Sequence, residues 1–494
     1  MFNNKFAAII LISSGLLASG CKTGLLGPDA PAEPSQPAPA APVVVEGVRT
    51  SYADVVEKTA GAVVRILAEG TSKQSVQIPP GLEDDFFKQF RIPRGSQRPQ
   101  LQRGAGSGVI VSADGNILTN AHVVDGADKI TVLLADNKSF EARLVGTDKP
   151  SDLAVLKIEA QNMPFLTLGN SDNVRVGDIV LAIGNPLNIG QSVTAGIISA
   201  KGRRTGLSDG QSFEDFLQTD APINRGNSGG ALVSLNSELI GINSQILSPP
   251  ESGGGNIGIG FSIPSNMARS VMEQLLKDGR VRRGMLGVNI QNISEDTAKA
   301  LELKDTSGVL VSNVQPGSAA DKAGVKRNDV ITAINGEKIE DSNVLRNKVA
   351  GTLPGTEIKL TVLREGTPVD LNAVLEELNN EQAASTGPKN GEENQPNTGQ
   401  NGRLGLSLQP LTPETSRQLN VPPGTEGLVV TEVDPSGAAA EAGIARGDVI
   451  MEINRQPVKS VDAVQSALNS SGERPILLLI ARGGQVVYLT VKAK

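Results

Sequence analysis

The chain has no tryptophan, two tyrosines, one cysteine and one histidine among its 494 residues. A single cysteine excludes any intramolecular disulfide. Aromatic residues are scarce at 2%, so the packed cores that 38% hydrophobic residues can fill are mainly aliphatic. Positive charge is not in excess either: 46 Lys and Arg against 53 Asp and Glu leave a net charge of −7, which gives no support for nucleic-acid binding. No Walker-type nucleotide motif occurs, so energy-driven unfolding of a substrate is not expected. Nothing in the chain calls for a metal or a cofactor. The apolar run Phe6–Leu17 is too short to span a bilayer as a mature helix.

What that run does resemble is an export signal. Lys5 precedes it, and the small residues Ala18, Ser19 and Gly20 follow it, directly before Cys21. Two readings are open. One is an ordinary secretory signal with an incidental cysteine. The other is a lipoprotein signal, cleaved before Cys21 so that the thiol carries a lipid and attaches the protein to a membrane; Ala18 stands where leucine is more usual. Residues 22–46 are rich in Pro and Ala, as an extended tether would be.

The length suggests about three domains at ~100–200 residues each. From Thr50 the pattern becomes globular, with a short helix expected over Tyr52–Lys58 and a strand over Ala62–Ile66. Residues 73–103 read as a long polar loop. Between residues 104 and 265, short β-branched runs such as SGVIVS, DIVLAIG and ELIGINS alternate with Gly, Asn and Asp turns. That spacing predicts a mainly β fold, a barrel or sandwich pair. A helix is expected over residues 266–280, ending at Gly279. The chain then repeats itself at a constant offset: Gly308 with Gly427, Pro316 with Pro435, Ala323 with Ala442, Asp329 with Asp448, Asn335 with Asn454. Two copies make tandem domains. The polar stretch 376–401 between them reads as a linker.

The lone histidine carries the chemistry by its setting. His122 lies in NILTNAHVVDGA, where a strand enters a turn; Asp152 lies in SDLAVLKI before an apolar strand; Ser228 lies in INRGNSGGALV. A serine hydroxyl becomes a useful nucleophile when a base takes its proton, and neutral imidazole suits that task near pH 7. An aspartate fixes the imidazole tautomer and stabilises the imidazolium. The glycines about the serine allow a turn that aims backbone N–H groups of Gly226, Asn227 and Ser228 inward at an oxyanion. The order His, Asp, Ser is the chymotrypsin order.

These motifs, with TNAHVV, DLAVLK, TDAPINRGNSGGALV and GNIGIGFSIPSN, resemble the HtrA/Deg family of bacterial periplasmic serine proteases from about residue 50 to the C-terminus. The resemblance implies a chymotrypsin-like double β-barrel over residues 50–280. PDZ domains follow over 281–376 and 402–494, joined by a linker over 377–401, with a signal peptide over 1–20 and a tether over 21–49. Ile223 and Ile246 are expected to line a pocket for small aliphatic side chains, although such residues also serve as plain barrel core. The resemblance further implies cleavage of unfolded polypeptides, some chaperone activity, and homotrimers or larger assemblies in the periplasm. In the repeats, peptide C-termini are expected at the loops Arg283, Gly284, Met285, Leu286, Gly287, Val288 and Gly402, Arg403, Leu404, Gly405, Leu406. Two alternatives stand beside this reading: a regulatory protease, and a peptide-binding chaperone scaffold whose proteolysis is conditional.

Overall fold

The computed structural model describes residues 49–72, 100–186, 190–205, 212–224, 226–247, 255–378, 404–421, 424–470 and 474–492. Residues 52–494 form one compact unit. The expected signal peptide, Cys21, nearly all of the tether, the loop over 73–99, the linker from residue 379, Arg225, Gly402 and Arg403 lie outside the described residues.

Twelve strands close into two six-stranded barrels. The first takes β1 (Val63–Ser72), β2 (Gln100–Ile110), β3 (Asn116–Thr119), β4 (Lys129–Leu133), β5 (Ser139–Asp148) and β6 (Leu153–Ile158) in the order β1-β2-β3-β6-β5-β4. The second takes β7 (Ile179–Gly184), β8 (Ser192–Arg203), β9 (Phe216–Thr219), β10 (Ala231–Ser234), β11 (Leu239–Ile246) and β12 (Gly260–Pro264) in the order β10-β11-β12-β9-β8-β7. Strands of this kind need branched aliphatic residues that fill a barrel without polar atoms, and Ile66, Ile110, Ile117, Leu118, Leu156 and Ile183 are essentially inaccessible. Helix α1 (Ala53–Thr59) begins one residue later than the sequence suggests, and α2 (Ala121–Val124) is a single turn. Helix α3 (Ser265–Asp278) buries Ala268, Val271 and Leu275, spaced to share one face, in the core of the barrels. It ends at Gly279 in the left-handed conformation, φ 68°.

The repeats fold alike. The first has a path β14 (Val288–Asn292), β15 (Val309–Val314), β16 (Val330–Ile334), β18 (Glu357–Arg364), β19 (Thr367–Val374), with β17 (Glu337–Lys338) on β16. A small ladder joins β13 (Gly284–Met285) to β20 (Glu376–Glu377). The second has the same path in β21 (Leu406–Pro410), β22 (Leu428–Val433), β23 (Val449–Ile453), β25 (Ile476–Arg482) and β26 (Gln485–Val491), with β24 (Gln456–Pro457) on β23. The matched residues have matched tasks. Asp329 and Asp448, each 1% exposed, accept paired hydrogen bonds from Arg364 and Arg482. Asn335 and Asn454 turn the chain at φ 51° and 48°.

These domains are not beads on a string. Ile293, Leu310 and Val330 of the first repeat share a buried cluster with Val449, Leu477, Leu479 and Tyr488 of the second. Gln291 and the backbone of Tyr488 exchange two hydrogen bonds, at 3.1 and 2.8 Å, and Arg327 meets Glu452 at 2.8 Å. The first repeat is also fastened to the barrels. Arg283 forks onto Asp148 at 2.8 and 2.5 Å, with both side chains more than nine-tenths buried. Its guanidinium and that of Arg346 lie 4.4 and 4.7 Å from the Phe213 ring centroid.

Candidate active site

Strand β3 delivers Asn120 in an extended conformation, and the turn α2 that follows presents His122 at the cleft between the barrels. A 3₁₀ turn over Lys149–Ser151 places Asp152 in the left-handed conformation, φ 55° and ψ 42°. That conformation costs a non-glycine residue about 1–2 kcal/mol and persists only where the surroundings hold it. They do so here. The Asp152 carbonyl accepts from Ala121 N at 3.1 Å and from Asn120 Nδ2 at 3.0 Å.

With its backbone pinned, the Asp152 carboxylate reads three donors. Oδ1 accepts from the His122 backbone N–H at 3.1 Å, both oxygens lie 2.9 Å from His122 Nδ1, and Oδ2 accepts from Ser244 Oγ at 2.8 Å. The imidazole thereby carries its proton on Nδ1 and turns Nε2 outward as an acceptor. Burial pulls the His122 pKa down, but the hydrogen bond to Asp152 and the Asp152 charge together outweigh it, and the result lies above the ordinary 6.5.

Ser228 sits in a turn made of hydrogen bonds from Asn227 N to Asn224 O, Gly229 N to Asn243 O and Gly230 N to Asn227 O. Glycine is required at 229: φ is 82°, and a Cβ would stand 2.1 Å from the Ser107 carbonyl. Strand β2 supports the turn through Ser107, whose N–H donates to Ser228 O at 2.8 Å and whose hydroxyl donates to Gly226 O at 2.7 Å. The Asn227 N–H is thus engaged. The N–H groups of Gly226 and Ser228 donate to no backbone carbonyl among the described residues. The Ser228 hydroxyl donates to the Ser244 carbonyl at 2.9 Å.

His122, Asp152 and Ser228 line one cleft of ≈ 670 Å³ together with Ile223 and Ile246. Ile223 is 1% exposed, and its Cδ1 would lie 2.9 Å from a Cβ on Gly260, so the side chain fills the floor beside that glycine. In the first repeat, Arg283 is spent on Asp148, the Gly284 N–H donates to Thr352 O, and Met285 pairs with Glu376. Leu286 and Gly287 donate to no backbone carbonyl among the described residues, and Val288 opens the edge strand β14. In the second repeat Leu404 O and Gly405 O accept from Ala439 N and Asp434 N, as Leu286 O and Gly287 O accept from Ala320 N and Gln315 N. Sequence reasoning missed Asn120, Ser107 and Ser244. Each acts through one hydrogen bond or two in a run that reads as ordinary strand or turn.

The chain matches the trypsin-like peptidase domain family over residues 106–242 and two PDZ domain families over 284–375 and 429–482. It is 39% identical over 464 residues to a probable periplasmic serine endoprotease, DegP-like, of Chlamydia pneumoniae, covering 91% of each chain. It is 40% identical over 444 residues to the periplasmic pH-dependent serine endoprotease DegQ of Escherichia coli, covering 90% of this chain and 91% of that one. Among solved structures, the HtrA-type protease AlgW with a tripeptide superposes with a TM-score of 0.53 at 42% identity, over 67% of this chain and 98% of that one.

Proposed function

Because this chain belongs to the HtrA family and is a serine endopeptidase with two PDZ domains, we propose that His122, Asp152 and Ser228 are its catalytic triad. The observation that carries the reading is the Asp152 carboxylate, held in a left-handed turn and hydrogen-bonded to both the backbone and the ring of His122. In this mechanism Ser228 Oγ gives its proton to His122 Nε2 and attacks the peptide carbonyl. The N–H groups of Gly226 and Ser228 receive the oxyanion. His122 then protonates the departing amine, and water attacks the acyl-enzyme by the same route.

The substrates we propose are unfolded or damaged polypeptides of the periplasm, where the relatives are named as acting. Strand β14 pairs with β15 on one side alone, and its other edge accepts an extended peptide, with Leu286, Gly287 and Val288 receiving a C-terminal carboxylate. Leu404, Gly405 and Leu406 are the equivalent in the second domain. The homotrimer we propose is built through the barrels, where the directly paired Ile179 and Ile197, with Val176, expose apolar surface suited to a contact between copies. Lipid attachment at Cys21 completes the proposal; among the described residues no helix is long and apolar enough to cross a membrane.

Conditional proteolysis is favoured by one observation. The Ser228 hydroxyl donates to the Ser244 carbonyl, so a rotation of the side chain must precede attack. A disulfide-bonded protein unfolded by reduction should be cleaved by the wild type and bound but uncleaved by Ser228→Ala. Cleavage at the wild-type rate by that variant would remove the triad assignment. A phosphonate probe that labels Ser228 only when a PDZ peptide is present would establish the conditional form.

A further inference from the structure

Asp215 stands at a seam. It lines the cleft that holds His122 and Ser228, and it also lines a second cavity of ≈ 270 Å³ between α3 and the helix Ser342–Gly351 of the first PDZ domain. Phe213 and Met267 line both spaces as well, so the two adjoin there. Asp215 makes no hydrogen bond or ion pair among the described residues. Burial, and then the negative charge of Asp172, push its carboxyl up to about 6; Asp341 adds to the effect, and Lys201 and Lys348 only partly offset it.

Three cations near this carboxylate are committed elsewhere. Lys201 Nζ donates to the carbonyls of Asp172 and Val174, Lys348 is paired with Glu337, and Arg283 with Asp148. Arg346 rests on the Phe213 ring and does not line either space. A second polar atom at the cavity is also unanswered. Asn347 donates through Nδ2 to Glu214 O, while its Oδ1 is buried without a partner. A buried acceptor without a donor is costly, as is a desolvated carboxylate without a counter-charge. Met267, Val271, Val281 and Val344 give the cavity apolar walls. A carboxylate on an otherwise largely apolar wall suits a long aliphatic stem tipped with N–H donors.

We propose that the cavity opening at Asp215 is a substrate subsite for a lysine or arginine side chain at one position removed from the scissile bond, with Asp215 as its counter-charge. The preference it produces is separate from the aliphatic pocket at Ile223 and Ile246. The proposal rests on the reading of the His122, Asp152 and Ser228 cleft as the active site.

The test is a lysine scan. Fluorogenic peptides with valine before the cut carry one lysine, walked through each flanking position, and are compared with peptides carrying norleucine, which has the aliphatic stem without the charge. In the wild type, one position should favour lysine in kcat/KM by about tenfold, the scale of a partly desolvated charge pair. The lysine-to-norleucine ratio at that position should fall to near one in Asp215→Asn and invert in Asp215→Lys. A ratio taken within one variant does not depend on how much of it is folded. The proposal is overturned if no position separates lysine from norleucine, or if the preference survives Asp215→Asn. Labelling of Ser228 by a phosphonate keeps the two readings apart. A labelled enzyme without the preference loses the subsite alone; an enzyme that neither labels nor cleaves with a PDZ peptide present loses both.

Discussion

Asn120 Nδ2 donates to the backbone carbonyl of Asp152 at 3.0 Å, and Asn120 is wholly buried while it does so. The bond holds the backbone of an aspartate whose φ is 55°, and so aims the carboxylate at His122. Asn120→Ala should lower kcat/KM roughly 10- to 100-fold, the worth of one buried hydrogen bond whose loss also frees a strained turn. A purely structural defect would scale activity at every pH alike. A loss of aim should in addition lower the apparent pKa of the acid limb, because Asp152 then raises His122 less.

The pH profile of the wild type follows from the same pair. His122 has its pKa raised, with the Asp152 hydrogen bond and charge overcoming burial. The base must be neutral to accept the serine proton, so activity should fall as pH drops through a single ionisation centred above 6.5. Asp152→Asn should bring that limb down while reducing kcat by about four orders of magnitude. The linked stability has the opposite sense: a raised histidine pKa favours the folded state at low pH, and that contribution is lost as pH rises through the folded value. An acid limb below the ordinary histidine range would refute the pairing.

Specificity can be changed at Ile223. Its side chain fills the space beside Gly260, which leaves room for small aliphatic groups. Ile223→Ala should move the preferred residue before the cut from valine toward leucine or phenylalanine, by about 10- to 100-fold in relative kcat/KM. Peptide cleavage mapped by mass spectrometry would show it; an unchanged profile would return Ile223 to the barrel core.

Arg283 and Asp148 form the buried fastening between the barrels and the first PDZ domain. Arg283→Ala leaves Asp148 buried with Ser151 as its remaining side-chain partner. The expected cost is about 3–5 kcal/mol, seen as a lower urea midpoint for the domain pair and faster hydrogen exchange over residues 148–152. The Asp148–Ser151 turn carries Asp152, so peptide cleavage should fall in parallel. An unaltered midpoint would show that the contact contributes nothing net.

How much of this was legible beforehand depends on how far apart the partners lie in the chain. Asp329 and Asp448 declared themselves by recurring, and the structure buries each and gives it an arginine partner. The β-branched runs announced the barrel strands because a barrel interior accepts little else. His122 and Ser228 stood out because their chemistry restricts residue type and neighbours. Ser107, Ser244 and Asn120 did not, since a serine in a strand or an asparagine at a turn has many uses, and only closure of the barrels brings these onto Gly226, Ser228 and Asp152. Arg283 and Asp148 are 135 residues apart, and no local pattern joins them. Asp215 is an acidic residue in an acidic chain until its lack of a partner among the described residues can be seen.

The shared core of the two repeats bears on how the protein can be dissected. Leu310 and Val330 are buried in a cluster that the second repeat completes. A chain cut off after the first repeat therefore carries an open apolar wound, and its behaviour in solution would reflect adhesion to whatever is nearby as much as the loss of a peptide-binding module. Domain deletion here is surgery on a joint, and the informative incision is a polar substitution at Tyr488 with both halves left in place.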